Sequence, residues 1–527
     1  VAGAGKAKTS RKGKFAIRLS DLSPAGTYRA KIGRKLVRAR GERVVCGKAR
    51  SKKLRVRELA RSPEPVVLTG ERLQPFSGAA PEEIVAFSYR RNAGWAQIPV
   101  QVDERHVVDL DAIHNDFRPP AYSILSLEYA DPGTLSGPDS NPTIDSDDEV
   151  VFMARDLRGP APAGAPDPAG VRPGSGQEVR VSDPLDPEAA AWVYLFRHDG
   201  SLDPAAGRDY VDYDFELLPA GKTYPDDYLF GGGPGDPVGN PPQDPAPPAN
   251  PENSRVTTSI YSERFADRWI TDELRITAGA ASGVDILDRN RLGVPFVSDQ
   301  TTVVCPRSEN TFAAGHGAFV ANIDGPVRAI RDYLGANSGL YTQRRQVFYE
   351  RREDLTTFLR LHPVDNNLVD LLDYDAAAIG MSYRNDLMGT SPAVTIDGNP
   401  DSVPTGVLSW ELVEGPQGSL VSAHRVDTDI PGYAGTSIYL DDSAPAQLNC
   451  TGDSQALGTS GPSTPLTGTP RTDPTPRGDL GNAGLPVYRL TSTRTHFYEP
   501  PGVSADAAER LSDEARTPLV TAVAPRG

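Results

Sequence analysis

Short apolar runs with a two-residue period, each closed within a few positions by proline or glycine, narrow the fold of this chain more than any other feature. The sequence spends 50 glycines and 49 prolines over 527 residues. Leucine, valine, isoleucine and the aromatics still recur in every segment between them, so the pattern describes many short strands joined by long turns rather than disorder. Strands are expected at 66–68, 84–87, 98–102, 124–127, 150–152, 179–181 and 192–196. A second set is expected at 256–260, 274–276, 301–304, 327–330, 345–349, 356–361, 408–410 and 437–440. Helical periodicity is sustained only over 504–515, where Ser504 is placed to cap and Ala507, Ala508, Leu511 and Ala515 share one stripe. The expected class is all-β, and the length calls for more than one core.

Four segments follow. Residues 1–61 alternate apolar and polar positions with turns at Ser23–Gly26 and Gly41, the pattern of a small antiparallel sandwich. Residues 66–218 form a second all-β unit, expected to be barrel-like. In 231–251, 13 of 21 positions are glycine or proline, so 219–254 reads as a loop. Residues 255–527 form a large sandwich interrupted near 452–484 by a second Pro/Gly/Ser/Thr tract. Pro-rich extended tracts suit arms between subunits, because little entropy remains to be lost when they dock.

Charge divides the chain as sharply as pattern does. Residues 1–61 hold 20 Lys and Arg against three acids, a net +17, and the whole chain is −15, so residues 62–527 carry −32. A cationic head on an anionic body favours head-to-tail contact between copies, or adhesion to an anionic cell-surface polysaccharide. Lys6, Lys8, Arg11, Lys12, Lys14 and Cys46 are the expected assembly residues. Nucleic acid is not an expected partner, since the head offers only Phe15 and Tyr28 for stacking. No run approaches the ~20 apolar residues of a membrane-spanning helix. The first residue is Val, which implies a removed leader or a start inside a longer chain. Few cysteines and scarce lysine in the body suit a secreted, extracellular or cell-surface protein. Of three cysteines, Cys305 and Cys450 are placed to clip two strands of the body in an oxidising compartment. Cys46 is left to pair between molecules or to be buried.

Two resemblances bear on architecture. The stretch Gly13-Lys-Phe15 through Pro24-Ala-Gly26-Thr-Tyr28 resembles the latter half of bacterial immunoglobulin-like surface domains, without the strands that normally precede it. The resemblance implies either truncation or a strand donated by a neighbour. The segment Gln97-Ile-Pro-Val-Gln-Val-Asp103, with Asp145-Ser-Asp-Asp-Glu-Val-Val-Phe152, resembles the barrel domain of exo-acting rhamnogalacturonan-lyase-type proteins. Asp324-Gly-Pro-Val-Arg-Ala-Ile-Arg331 and Tyr341–Glu350 are similar to the large mutarotase-like sandwich that follows that barrel. The resemblance spans about 66–440 and implies sugar-binding architecture more than a defined activity.

The acidic turn carries chemistry of its own. Asp139, Asn141, Asp145, Asp147, Asp148 and Glu149 crowd oxygen ligands into eleven positions, with Asp103, Asp109 and Asp111 nearby in sequence. Carboxylates so dense repel unless a hard cation lies among them, so calcium is a candidate cofactor and no other is expected. A solvated acidic loop is the alternative. A lyase needs a base beside a uronic carboxylate and a cation to hold that carboxylate. The candidates are His316, His362, His424, Tyr349 with Glu350, and the arginines Arg344, Arg345, Arg351 and Arg352. On a strand, Arg345, Val347, Tyr349 and Arg351 share one face, a sugar-binding surface or an ordinary exposed one. No G-x-S-x-G, P-loop, H-E-x-x-H or C-x-x-C occurs. The leading expectation is a secreted structural subunit of an extracellular filament or surface assembly, more a building block than an enzyme. A carbohydrate-active protein, lyase-like or glycan-binding, is the alternative.

Overall fold

The computed structural model describes residues 59–61, 63–110, 125–218, 252–266, 270–279, 283–299, 302–308, 317–335, 342–361, 367–444, 455–466, 471–472 and 486–526, and, as strand pairings alone, parts of 27–55. The chain is all-β apart from short turns of helix and the helix Ala505–Arg516. It divides into two compact units: residues 1–102, 143–208 and 517–527, and residues 103–142 and 209–516.

In the head, Thr27–Tyr28 pairs with Leu54–Arg55, Lys31–Ile32 with Ala49–Arg50, and Lys35–Ala39 with Glu42–Cys46. The three antiparallel pairings nest in register. Among the described residues, no third strand joins any of them.

The rest of the first unit is built on a five-stranded antiparallel sheet ordered Val520–Pro525, Gln177–Ser182, Ala190–Arg197, Ile84–Arg90, Gly94–Ile98. Alternation sends Ile84, Ala86, Val193 and Leu195 into one buried cluster, with Val66, Val150 and Phe152 of a neighbouring strand pair. It sends Val85, Phe87, Tyr194 and Phe196 into a second cluster on the opposite face. A closed barrel has one interior, whereas this sheet buries both faces, and among the described residues no sheet closes. The expected barrel is therefore a layered sheet. Its edge strand is Val520–Pro525, which sequence reading assigned to the large sandwich and which instead pairs with Gln177–Ser182.

The second unit is a large antiparallel sandwich. One sheet runs Gly317–Ile323, Ala329–Gly335, Thr342–Tyr349, Arg352–Leu361, Pro486–Glu499, Gly418–Thr428, Trp410–Gly415, Ser382–Asn385 and Val394–Thr395, with Arg471–Thr472 paired beside Pro486–Glu499. A five-stranded sheet runs Thr302–Ser308, Leu287–Asp299, Asn367–Tyr374, Ala456–Pro465 and Thr436–Asp442. The helix covers the outer face of the large sheet. Ser504 Oγ accepts from the Ala507 amide at 3.2 Å, as the sequence predicts, and Ala508 and Leu511 pack on Trp410, Leu412, Val421 and Phe497. Pro518 stands where continuation would need another amide. The opposite, inner face meets the smaller sheet through Leu359, Tyr488 and Leu490 against Leu292 and Leu368. Ala456–Pro465 falls inside the tract expected to be a loop. It forms a strand because Gly461, at φ +149°, lets its backbone lie against Asp370 where a Cβ would be 2.3 Å from the carbonyl oxygen. Among the described residues no helix is long and apolar enough to cross a membrane.

Candidate acid–base site inside the sandwich

Register sets the chemistry of the inner face. Asn385 pairs with Glu411, Glu411 with Ser422, Ser422 with His496, and His496 with Glu353. One transverse row thus carries five polar side chains across five strands, all of them buried. Two imidazole–carboxylate pairs result.

In the first pair, His424 Nε2 lies 2.8 Å from Glu411 Oε2. Tyr383 donates its hydroxyl to Glu411 Oε1 at 2.7 Å, and Asn385 Nδ2 donates to that hydroxyl at 3.3 Å. The Tyr383 ring stacks on Tyr439 at 4.3 Å. Burial works to raise the Glu411 carboxyl, but the hydrogen bonds and charge of its neighbours, His424 first, leave it below its ordinary value. His424 also borders a cavity of about 130 Å³ that is lined in part by Ser409, Arg425, Tyr433, Thr436 and Arg516. Arg516 Nη2 donates to the backbone carbonyls of Ser409 at 2.8 Å and His424 at 3.0 Å, which fixes the guanidinium at the cavity wall.

In the second pair, His496 Nδ1 lies 2.8 Å from Glu353 Oε2, while Gln346 Nε2 donates to Glu353 Oε1 at 2.9 Å. Tyr498 donates to Glu263 Oε1 at 2.6 Å, and its ring stacks on Tyr261 at 3.8 Å. Burial and the Glu353 charge drive the Glu263 carboxyl well above its ordinary value. Burial likewise lowers His496 against the pull of Glu353, which keeps the imidazole neutral near pH 7.

The other sequence-derived candidates fall as follows. His316, His362, Lys6, Lys8, Arg11, Lys12, Lys14 and Cys450 lie outside the described residues, as do the side chains of Cys46 and Cys305. The 345–351 face is not an open sugar platform, because Val347, Tyr349 and their opposite-face neighbours Arg344, Gln346, Phe348 and Glu350 are all buried. Arg345 is spent on Asp332 and Glu128, Arg351 on Glu499, and Arg352 on Asp354. Glu350 accepts from Ser259 Oγ at 2.8 Å. Burial pushes the Tyr349 phenol up, away from any role as a base at neutral pH.

The acidic turn is divided between the units. Asp139 and Asn141 belong to one, and Asp145, Asp147, Asp148 and Glu149 to the other. Its carboxylates cap their own turns: Asp139 accepts from the Asn141 amide at 3.0 Å, Asp145 from Asp147 at 3.2 Å, and buried Asp148 from Asp145 at 2.8 Å. A hydrogen bond with the Asp145 carboxyl, with burial, pushes the Asp147 carboxyl up to about 6. Asp103 is held by Arg328 at 2.7 and 2.9 Å. Among the described residues, the acidic and imidazole atoms that converge closely enough to share an ion belong to Glu263, Glu353 and His496. Sequence reading reached His424 but missed Glu411, Tyr383, Glu353, His496 and Tyr498. The alternation Tyr488-Leu490-Ser492-Arg494-His496-Tyr498 was the available signal.

No family model matches the chain, and no curated protein matches it. Among solved structures, a putative aldose 1-epimerase from Escherichia coli K12 is similar over 45% of this chain and 96% of its own, at 13% identity and a TM-score of 0.23.

Proposed function

We propose that the sandwich unit is carbohydrate-active and performs acid–base chemistry on an acidic sugar, with His424 as the base. The observation that carries the reading is the placement of His424 between a buried carboxylate and a cavity. Glu411, itself held by Tyr383, keeps the imidazole proton on Nε2, which leaves the Nδ1 lone pair free to take a proton. Arg516, anchored on two carbonyls, supplies the cation that a uronic carboxylate needs. The cavity has room for about four waters at the ~30 Å³ each takes in the liquid, or for one six-membered ring. In a lyase reaction the C5–H bond breaks, its proton passes to His424, a C4–C5 double bond forms, and the C4–O bond breaks with its electron pair leaving on oxygen. Solvent protonates that oxygen. The test is incubation with acidic polysaccharides and detection of the unsaturated product by ultraviolet absorbance. His424→Gln is expected to lower the rate by about 10²–10⁴ while glycan retention persists. A wild-type chain that makes no unsaturated product and retains no glycan removes the proposal.

A second reading is favoured by the head. Among the described residues the head pairs only two by two, an arrangement that is marginal in water and suited to strand addition, and it carries part of the +17 segment of a chain whose remainder is −32. These features support a secreted subunit of an extracellular assembly, in which an incomplete immunoglobulin-like head docks on the acidic body of another copy. Sedimentation at low and high salt tests it; an intact chain that is monomeric in both ends the idea.

A further inference from the structure

We propose, resting on the acid–base reading of the cavity beside His424, that its ligand bears two anionic groups, one held by Arg516 and the other by Arg425. The cavity fills a notch in the large sheet. Trp410 pairs with Ala423, and the His424 amide donates to the Ser409 carbonyl at 3.0 Å. Beyond that bond, among the described residues, no strand pairs with this side of residues 425–428, whose other side runs on beside Pro486–Glu499. Alternation turns His424 to the inner face and Arg425 to the outer one. A notch is open to both faces, so both residues line the one cavity. The helix on the outer face ends at Arg516, which lines it too.

The two guanidiniums are distinguished by their missing counter-ions. Arg516 donates only to backbone carbonyls, and among the described residues neither it nor Arg425 meets a carboxylate. Asp427, which faces outward two positions from Arg425, forms no ion pair with it. Other arginines of this unit are matched: Arg264 to Asp272, Arg275 to Glu273, Arg328 to Asp103 and Arg331 to Glu252. In a chain of net charge −15, two unmatched cations on one cavity are an exception. Like charges there repel, and a dianion removes that cost. Both arginines are exposed, so a polymer reaches them from solvent. Tyr433, packed on the cluster of Leu359, Tyr488 and Leu490, gives the cavity an aromatic wall for one ring. With one ring filling the space, the second anion belongs to an ester group on that ring or to the next residue of the polymer. Carboxylate and sulfate oxygens both suit the guanidinium fork.

The experiment uses the full chain and three oligosaccharide probes of equal length. One alternates uronate with neutral sugar, one is uronate throughout, and one is the alternating probe with ester sulfate on each uronate. Affinity is measured by calorimetry at low and high salt, beside release of unsaturated product. At low salt, one or both dianionic probes should bind about tenfold tighter than the alternating one, and the preferred probe identifies the source of the second anion. High salt should narrow the gap. Arg425→Gln disturbs no ion pair and should bring the probes within about threefold of one another, with folding checked by circular dichroism. Arg384→Gln removes a positive charge that does not line the cavity and should keep the gap. Equal affinity for all three probes, no binding of any, a gap that survives Arg425→Gln, or one that Arg384→Gln closes as well overturns the second anion. Unsaturated product without the gap leaves the acid–base reading standing, whereas the gap without product removes that reading and keeps the dianion site.

Discussion

Replacing Gly461 with alanine tests whether a segment that reads as loop is a working strand of the sandwich. An alanine Cβ at this position would lie 2.3 Å from the Asp370 carbonyl oxygen, 3.2 Å from Leu371 Cα and 3.3 Å from the Asp370 carbonyl carbon. All three are backbone atoms of the neighbouring strand, so no rotamer change relieves the clash. Two costs add. The φ of +149° strains any residue with a Cβ by about 1–2 kcal/mol, and forcing two paired strands apart costs about 1–3 kcal/mol more. The displacement also reaches the polar layer. The Asp370 carbonyl accepts from Arg494 Nη2 at 2.6 Å, its carboxylate forms an ion pair with the same nitrogen at 2.7 Å, and Arg494 is the cross-strand partner of His424. A loss of about 3–4 kcal/mol is expected. Gly502→Ala is the control, because Gly502 has φ +102° and nothing within 4 Å of its would-be Cβ, so only the strain remains. The two variants are compared by urea midpoint and by thermal melting. Their difference of about 2 kcal/mol corresponds to roughly 3 °C in a unit of about 350 residues. If Gly461→Ala melts no lower than Gly502→Ala, the close approach of the strands is not as described.

Two other perturbations probe the interior. Glu252→Gln leaves the fully buried Arg331 uncompensated and should cost about 3–5 kcal/mol, whereas the double change Glu252→Leu with Arg331→Met should recover most of it; equal losses by urea denaturation would contradict the pairing. Asp285 provides a pH signature, since burial raises its carboxyl from 3.8 to about 6. The folded state binds that proton more tightly than the unfolded chain, so this group's contribution to stability falls as pH rises through that window and levels off above it. Asp285→Asn keeps the acceptor for the Leu274 and Leu287 amides at 3.0 and 3.2 Å. Its advantage over wild type should grow across the same window to about 1 kcal/mol, after discounting for solvent screening. Melting curves that run parallel from pH 4 to pH 7 would refute the assignment.

Much of the architecture is readable from period and punctuation. The runs at 84–87, 179–181, 192–196, 345–349 and 356–361 are strands, and Ser504 begins the helix. What pattern alone misplaces has identifiable physical causes. Ala456–Pro465 contains two glycines, two prolines and four hydroxyl residues, so no local preference marks it; it is a strand because its neighbours bury it on either side and Gly461 permits the contact. Val520–Pro525 is far in sequence from its partner Gln177–Ser182, and nothing local to either run names the other.

The candidate site was hidden for a related reason. A strand reading looks for an apolar inner face, yet Pro486–Glu499 turns Ser492, Arg494 and His496 inward, and Trp410–Gly415 turns Glu411 inward. Each residue alone resembles an outward-facing polar position; only the register reveals that Glu411 and His496 fall in one row. Such a row is costly, because buried ion pairs seldom stabilise a fold more than apolar residues of the same size. The sandwich already has apolar packing at Leu359, Leu490 and Tyr488 and, across the sheet, at Trp410, Phe497 and Leu511. Folding therefore does not require two histidine–carboxylate pairs between those clusters. The proton transfer proposed at His424 gives one of those pairs, His424 with Glu411, a use that packing does not.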